Sequence, residues 1–255
     1  MKNKDLKLKY NDIYKGGAYQ NYYTFNMFPS ELMILNFIDN WNNLKVLDIG
    51  CGEGNLAAML SFKGALEIDA VDYSKEAISI AKERINIENV NFICKDYKKI
   101  NKKYDVVVMN GTFEHFDNPW SDLDFIFSNL CKKDGIVITT SPGFLNPRGY
   151  IWMTLQLLFD VPMSLSDLHQ ISPFDFEEFC KSKKIDLEVS STDQDWGSGE
   201  RTIIDFNKRL RNALNDAKLN NNNVDKLLVW LEKAMPYFET NDSSGAMIAY
   251  KLSRK

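Results

Sequence analysis

The stretch "KVLDIGCGEGNLAAMLSF", residues 45–62, runs from an apolar segment through three glycines spaced two apart into a helix-like pattern. Lysine 45 to isoleucine 49 reads as a buried strand, and the run from Asn55 reads as a helix. Glycine tolerates positive φ and lets backbone approach a ligand closely. A glycine loop between strand and helix marks the edge at which open α/β sheets bind their ligands. The N–H groups of the following helix favour an anionic group there.

The rest of the chain repeats this alternation. Strands are predicted at 45–49, 67–71, 90–94, 104–109, 135–140, 185–190 and 246–252, with helices at 55–62, 75–85 and 119–131. Ser74 reads as an N-cap, and Asn118-Pro119 as a cap followed by a first-turn proline. Runs such as "DVVVM" and "IVITT" are apolar throughout, which fits strands covered on both faces. The expected fold is α/β: a Rossmann-like, doubly wound, seven-stranded sheet, mostly parallel. After Pro142 the rhythm breaks into an aromatic-rich insertion, 143–172. Ser172, Pro173 and Asp175 then resemble a capping box. Residues 197–238 read as amphipathic helices broken by "NNNN" at 220–223, a loop. The expected organisation is one domain. It comprises an N-terminal aromatic cap and helix (1–43), a core (44–142), cap insertions (143–172 and 193–242) and a last strand (243–255). In the N-terminal helix, Leu32, Ile34, Leu35 and Ile38 are expected to form the apolar face.

Composition narrows the function classes. The chain has 255 residues, 44% hydrophobic and 26% charged, with a net charge of −4, so a full core can form and no basic surplus points to nucleic acid. "MKNKDLKLKY" lacks a following apolar segment of the secretory kind and reads as a solvated terminus. No apolar run approaches the roughly 20 residues that span a bilayer. Four cysteines lie far apart without a C-x-x-C, so reduced, mostly buried thiols in a cytoplasmic protein are expected. Two histidines and scattered acids give no metal-ligand spacing, and no metal is assigned.

The glycine spacing from Gly50 departs from the dinucleotide fingerprint G-x-G-x-x-G, because the third glycine comes one place early. "VLDIGCGEGNLA", "VDYSKEAI", "NFICKDY" and "YDVVVMNGTFEHF", taken in order, resemble the successive motifs of class I S-adenosylmethionine-dependent methyltransferases over about residues 44–142. The resemblance implies S-adenosyl-L-methionine as cofactor and a role for each matching residue. Asp48 and the loop Gly50, Cys51, Gly52 and Gly54 would hold the methionine part. Asp72 would take the ribose hydroxyls, with Tyr73 flanking the adenine. Asp96 would take the adenine amino group, with Tyr97 beside it, and Asn110 would lie below the sulfonium. Each aspartate also has a plain structural alternative as a cap or turn acceptor. For Tyr73 and Tyr97 the alternative is packing. Cys51 is expected to be a small loop residue rather than a nucleophile.

The acceptor side is thinner in signal. By the same resemblance, His115, in "GTFEHFDNP", and His169, in "SDLHQISPF", are implied to map to one mouth. His115 is the preferred general base and His169 the second candidate or a substrate ligand. Loop organisation is the alternative for the Glu114-His115 pair, and Glu114 is expected to be a structural acceptor. Tyr19, Tyr22 and Tyr23 are lid candidates over the substrate, against simple packing of the N-terminal helix. Arg148 and Arg201 are candidates to meet an anionic acceptor group, against a solvated surface role. The apolar stretch "GYIWMTLQLLFDVPM" is read as packing over the core, against a pocket, dimer or membrane surface. The expected partner is a small-molecule acceptor, with a homodimer left open. The chain resembles small-molecule O-methyltransferases of surface-polysaccharide biosynthesis, which implies a hydroxyl acceptor on a nucleotide-linked sugar or capsular precursor. A quinone-type lipid methyltransferase and a non-catalytic donor-binding scaffold are the alternatives.

Overall fold

The computed structural model describes Leu8, residues 29–161 and residues 168–254. The lid candidates Tyr19, Tyr22 and Tyr23 lie outside the described residues. Helix α1 (Pro29–Asn36) precedes an alternating core of β1 (Lys45–Ile49), α2 (Asn55–Phe62), β2 (Glu67–Asp72), α3 (Lys75–Arg84), β3 (Val90–Cys94), β4 (Tyr104–Asn110), α4 (Pro119–Phe125) and β5 (Cys131–Pro142). Then come α5 (Pro147–Phe159), α6 (Pro173–Lys183), β6 (Ile185–Thr192), α7 (Gln194–Ser198), α8 (Glu200–Asp216), α9 (Val224–Ala234) and β7 (Met247–Arg254). The seven strands form one sheet in the order β3-β2-β1-β4-β5-β7-β6. β1 to β5 pair in parallel, and β7 runs antiparallel to both β5 and β6. The expected doubly wound, mostly parallel sheet is therefore present.

The continuous apolar runs have a direct physical cause. Side chains alternate across a strand, and both faces of this sheet are covered. Val46, Ile68, Ala70, Val106, Val108 and Ile138 pack with Ile34, Leu56, Leu60 and Ile78 of the helices on one face. Leu47, Val71, Val107, Met109, Val137 and Tyr250 pack on the other with Phe113, Leu123, Phe176 and Phe179. A third cluster, Trp152, Phe206, Leu210, Leu214, Val224, Leu228, Leu231 and Met235, joins α5, α8 and α9 into a cap with its own small core.

Several boundaries depart from expectation. In α1 the inward residues are Glu31, Met33, Ile34 and Leu35, whereas Leu32 is 44% exposed. The helix is too short for its apolar spacing to set its orientation, and packing on the sheet sets it instead. The helix from Pro119 ends at Phe125 and opens into a wider π-type turn, Ile126–Leu130, so Cys131 already belongs to β5. β5 starts earlier than expected because Cys131 pairs with Tyr104; the register then jumps to Ile136 opposite Val106. Residues 132–135 bulge out, and the sequence pattern marks only the regular part. Asn118 contributes no side-chain cap; its carbonyl accepts the Asp122 N–H at 2.9 Å. The 220–223 run is the expected turn, with Asn220 Oδ1 accepting from the Asn222 N–H at 2.8 Å. All four cysteines are free, and three are buried. No helix among the described residues is long and apolar enough to cross a membrane.

Candidate donor and acceptor site

The glycine loop folds as its composition requires. Gly50, Gly52 and Gly54 have φ of +74°, +52° and +84°, a region in which a Cβ is strained. The Gly50 and Cys51 N–H groups both donate to the Val71 carbonyl, at 2.8 and 3.1 Å, so the loop crosses directly onto the end of β2. A Cβ on Gly50 would lie 2.6 Å from Thr112 Cγ2 and closer still to Thr112 Oγ1. A Cβ on Gly54 would lie 2.5 Å from the Phe92 ring. The loop is thus wedged between the segment after β4 and strand β3. Gly54 also caps α2 without any side-chain acceptor. First-turn N–H groups of α2 therefore lack a capping side chain and can serve an anionic group.

Two aspartates frame this loop. Asp72, at the end of β2, accepts the Gly52 N–H at 3.1 Å on Oδ2 and the Ser74 N–H at 2.8 Å on Oδ1. Asp48, near the end of β1, is 1% exposed, and its Oδ2 has no hydrogen-bond partner. Burial, then the Asp72 carboxylate, then the Glu31 carboxylate push the Asp48 carboxyl up to about 8. Such an acid lacks a cation beside it among the described charges and fits a positively charged ligand group. Burial and the same two aspartates push the Cys51 thiol well above its ordinary range, so Cys51 lines the loop as an un-ionised thiol.

The other residues singled out for the donor are less concentrated. Asp96 is exposed and caps the turn Tyr97–Lys99, its Oδ1 accepting the Lys98 N–H at 2.9 Å. It stays beside the β2 end, because the adjacent Lys95 N–H donates to the Asp72 carbonyl at 3.0 Å. Tyr73 is half-buried, and its hydroxyl is pushed up by burial and then by Asp72. The Tyr97 ring stacks on Phe116 at 5.1 Å and meets Phe125 edge-on at 6.3 Å. Tyr97 is therefore held in an aromatic layer under the β4 end. Asn110 Oδ1 accepts from Thr140 Oγ1 at 2.7 Å, which ties the end of β4 to β5.

The segment carrying His169 is pinned to the turn carrying His115. His115 ends the tight turn Phe113–His115 directly after β4. The Leu168 and His169 N–H groups both donate to the Glu114 carbonyl, at 3.1 and 3.2 Å. The His169 Nε2 lies 2.9 Å from the Phe116 carbonyl. A carbonyl only accepts, so Nε2 carries the hydrogen, and in the neutral ring Nδ1 keeps its lone pair. Glu114 itself is 3% exposed.

Arg148 stands apart from this mouth in its contacts. It is 7% exposed, in the cap, and its Nε donates to Asp205 Oδ2 at 3.3 Å. The surface role weighed for Arg148 is thereby corrected: the side chain is buried against Asp205 of α8. Arg201 pairs with Asp195 at 3.3 Å at the surface. The apolar stretch divides: Trp152 is buried in the cap core, whereas Leu157, Leu158 and Phe159 are 73%, 70% and 53% exposed. Among the described residues no group of acids, cysteines and histidines could hold a metal ion.

Three residues were not singled out from sequence. Glu31 gave only the signal of an acid in a first helical turn. Ser141 and Tyr250 are fully buried on the β5–β7 face, and Tyr250 stacks on Phe176 at 4.1 Å. Strand alternation places them, but nothing local marks them as buried polar groups of that face.

A family model described as a methyltransferase domain matches residues 29–178, more than half of the chain. The chain belongs to the class I S-adenosylmethionine-dependent methyltransferases. A malonyl-[acyl-carrier protein] O-methyltransferase of Acetivibrio thermocellus is 30% identical over 154 residues, covering 59% of this chain and 46% of that protein. The chain thus spans about half the length of the curated malonyl relatives it matches. A ubiquinone biosynthesis O-methyltransferase of Neisseria meningitidis is 27% identical over 169 residues, covering 60% of this chain and 69% of that protein. Among solved structures, the plantazolicin methyltransferase BpumL, in complex with a triazolic desmethylPZN analog and SAH, superposes with a TM-score of 0.56 at 20% identity. It covers 99% of this chain and 98% of its own, which supports the fold. In this methyltransferase the cofactor is S-adenosylmethionine, and the loop suits it: an orphaned buried acid for a cationic amino acid, uncapped N–H groups for its carboxylate, and glycines where a Cβ would intrude.

Proposed function

We propose that the chain transfers the methyl group of S-adenosylmethionine to a hydroxyl oxygen of a small polar acceptor. The observation that carries this reading is the joining of His115 and His169 through Glu114 and Phe116, beside the loop that Thr112 presses on. When bound, the donor supplies an activated methyl on its sulfonium. Asp48 and the Gly50–Gly54 loop hold its amino-acid end, Asp72 its ribose, and Asp96 with Tyr73 and Tyr97 its adenine. Asn110 fixes the floor at the end of β4. Positioning supplies most of the acceleration of such a transfer, roughly 7–11 kcal/mol in favourable cases. His115 accepts the hydroxyl proton, and His169, with its ring orientation set by the Phe116 carbonyl, binds the acceptor or replaces it as base. Four unpaired thiols suit a reducing, cytoplasmic setting.

A nucleotide-linked sugar, a capsular precursor or its phosphorus-containing substituent is the acceptor class we favour, by likeness of layout to enzymes of polysaccharide biosynthesis. A quinone-type lipid is the second reading. It is supported by the exposed Leu157, Leu158 and Phe159 and by the ubiquinone relative. The test is a panel of nucleotide sugars and detergent-dispersed phenolic lipids incubated with donor and read by mass for one added methyl. Methylation confined to lipids selects the second reading, and donor binding without turnover on any acceptor favours a scaffold. On a responsive oxygen acceptor, His115→Ala is expected to lower kcat about 100-fold with donor affinity changed less than about twofold. Unchanged turnover in both His115→Ala and His169→Ala removes the histidines from the mechanism.

A further inference from the structure

Arg148 is 7% exposed, yet it makes a single hydrogen bond, Nε to Asp205 Oδ2 at 3.3 Å. Among the described residues its two terminal nitrogens donate to no acceptor. Asp205 is itself shared, because Arg209 reaches it at 3.8 Å. Two guanidinium groups thus face one carboxylate, and among the described residues no other charged group acts on Arg148. One positive charge is left without a counter-charge at a buried place. One turn further along the same face of α5, Trp152 is 1% exposed and its Nε1 has no partner either. Its ring meets Phe206, the neighbour of Asp205, edge-on at 5.6 Å. The unmatched polar groups of α5 that face α8 are therefore all donors. Buried donors without an acceptor are costly, and an oxyanion relieves both at once.

The place is held rigidly. Asn146 caps α5 by accepting the Gly149 N–H at 2.8 Å, and it donates to the Gly143 and Gly245 carbonyls at 3.3 and 3.0 Å. A Cβ on Gly149 would lie 2.3 Å from the Phe144 carbonyl oxygen, so the first turn of α5 is pressed onto the segment that leaves β5. β5 runs parallel to β4, and β4 to β1, so that segment leaves the sheet at the edge that carries the glycine loop.

We propose that Arg148, with the Trp152 indole N–H, grips a phosphate group of the methyl acceptor between α5 and α8. This deepens the acceptor class favoured above and rests on it. The bond from Nε to Asp205 leaves the edge formed by the terminal nitrogens for the anion, and such an edge matches phosphate oxygens in pairs. A phosphate offers more oxygens than a carboxylate, which suits a guanidinium edge and an indole together.

The indole N–H resonances of the protein test this directly, the Trp152 signal being the one missing from Trp152→Phe. The probes are inorganic phosphate and methyl phosphate, with acetate as the carboxylate comparison. Both phosphates are expected to move the Trp152 signal to saturation, with acetate at least about tenfold weaker. Arg148→Gln is expected to weaken both phosphates at least about tenfold. Asp205→Asn, which frees the guanidinium from its carboxylate, is expected to tighten them about threefold, and it supplies a gain of binding that a failure to fold cannot mimic. No saturable shift in the folded wild type, or unchanged affinity in both variants, overturns the site. Acetate binding as tightly as phosphate overturns the choice of phosphate. Inorganic phosphate binding without methyl phosphate assigns the site to the free ion and overturns its role toward the acceptor. Methyl transfer confined to uncharged lipids ends the acceptor reading even where both phosphates bind, so the two failures are told apart.

Discussion

Asp48→Asn is expected to stabilise the ligand-free protein at pH 8.5 while removing most of its affinity for S-adenosylmethionine. Both effects come from one buried oxygen without a partner. An unfolded aspartate ionises near 3.8, whereas burial and two neighbouring acids push Asp48 up to about 8 in the fold. Between those values the folded chain holds a proton that the unfolded chain has lost. Stability from this group is therefore greatest below pH 4 and falls as pH rises through the window up to about 8. Above that window a charge sits in the core without a cation, at a cost on the order of 3–6 kcal/mol. The thermal midpoint of the wild type should fall between pH 6 and pH 8.5, and that of the Asn variant should fall much less. Parallel declines in the two proteins would assign the unpaired charge elsewhere. The donor reverses the sign, since an ammonium beside the ionised carboxylate removes the penalty. Donor affinity in the variant is expected to drop on the order of 100-fold at pH 8.5.

Gly50→Ala is expected to have a comparable effect on binding with the opposite effect on stability. At φ +74° a side chain costs about 1–2 kcal/mol from backbone sterics alone. The added Cβ would also press on Thr112, 2.6 Å from its Cγ2. Either the loop lifts away from Val71 or the turn carrying His115 moves, and both displace a wall of the site. The expected outcome is a lower thermal midpoint and donor affinity reduced on the order of 100-fold, measured by calorimetric titration. Thr112→Ala in the same chain removes the two closest contacts and leaves Thr112 Cβ, at 3.1 Å, as the nearest of the three. The double variant should therefore recover part of the midpoint, but not the backbone strain. Full additivity of the two changes would mean that Gly50 and Thr112 do not touch in solution.

Much of the fold was legible because parallel strands buried on both faces leave unbroken apolar runs. β1, α2 and β3 begin and end where the pattern of residues 45–62 and 90–94 places them. Ser74 caps α3 through the Ala77 N–H, as its position before a helical run implies. Local chemistry was enough there, because the determinants lie within a few residues of one another. It was not enough where the deciding contact is distant in sequence. Glu31 faces inward because α1 lies on the sheet, and nothing within eight residues of it says so. Arg148 is buried by Asp205, 57 residues away, and a lone arginine after a proline carries no trace of that pairing. Cys131 joins β5 across a bulge that interrupts the apolar alternation. Around the loop, the positive φ of the glycines and the place of Asp72 at the end of β2 were legible from motif and order. The contact between His169 and Phe116, 53 residues apart, required the fold.

The most direct test of the central claim, that the β1–α2 loop with Asp48 and Asp72 is the seat of S-adenosylmethionine, is a titration of the purified chain with S-adenosylhomocysteine, followed by competition with NADH. The expected result is one molecule of S-adenosylhomocysteine bound per chain and no displacement by NADH. Absence of S-adenosylhomocysteine binding in a folded sample, or binding of NADH in its place, would contradict the assignment.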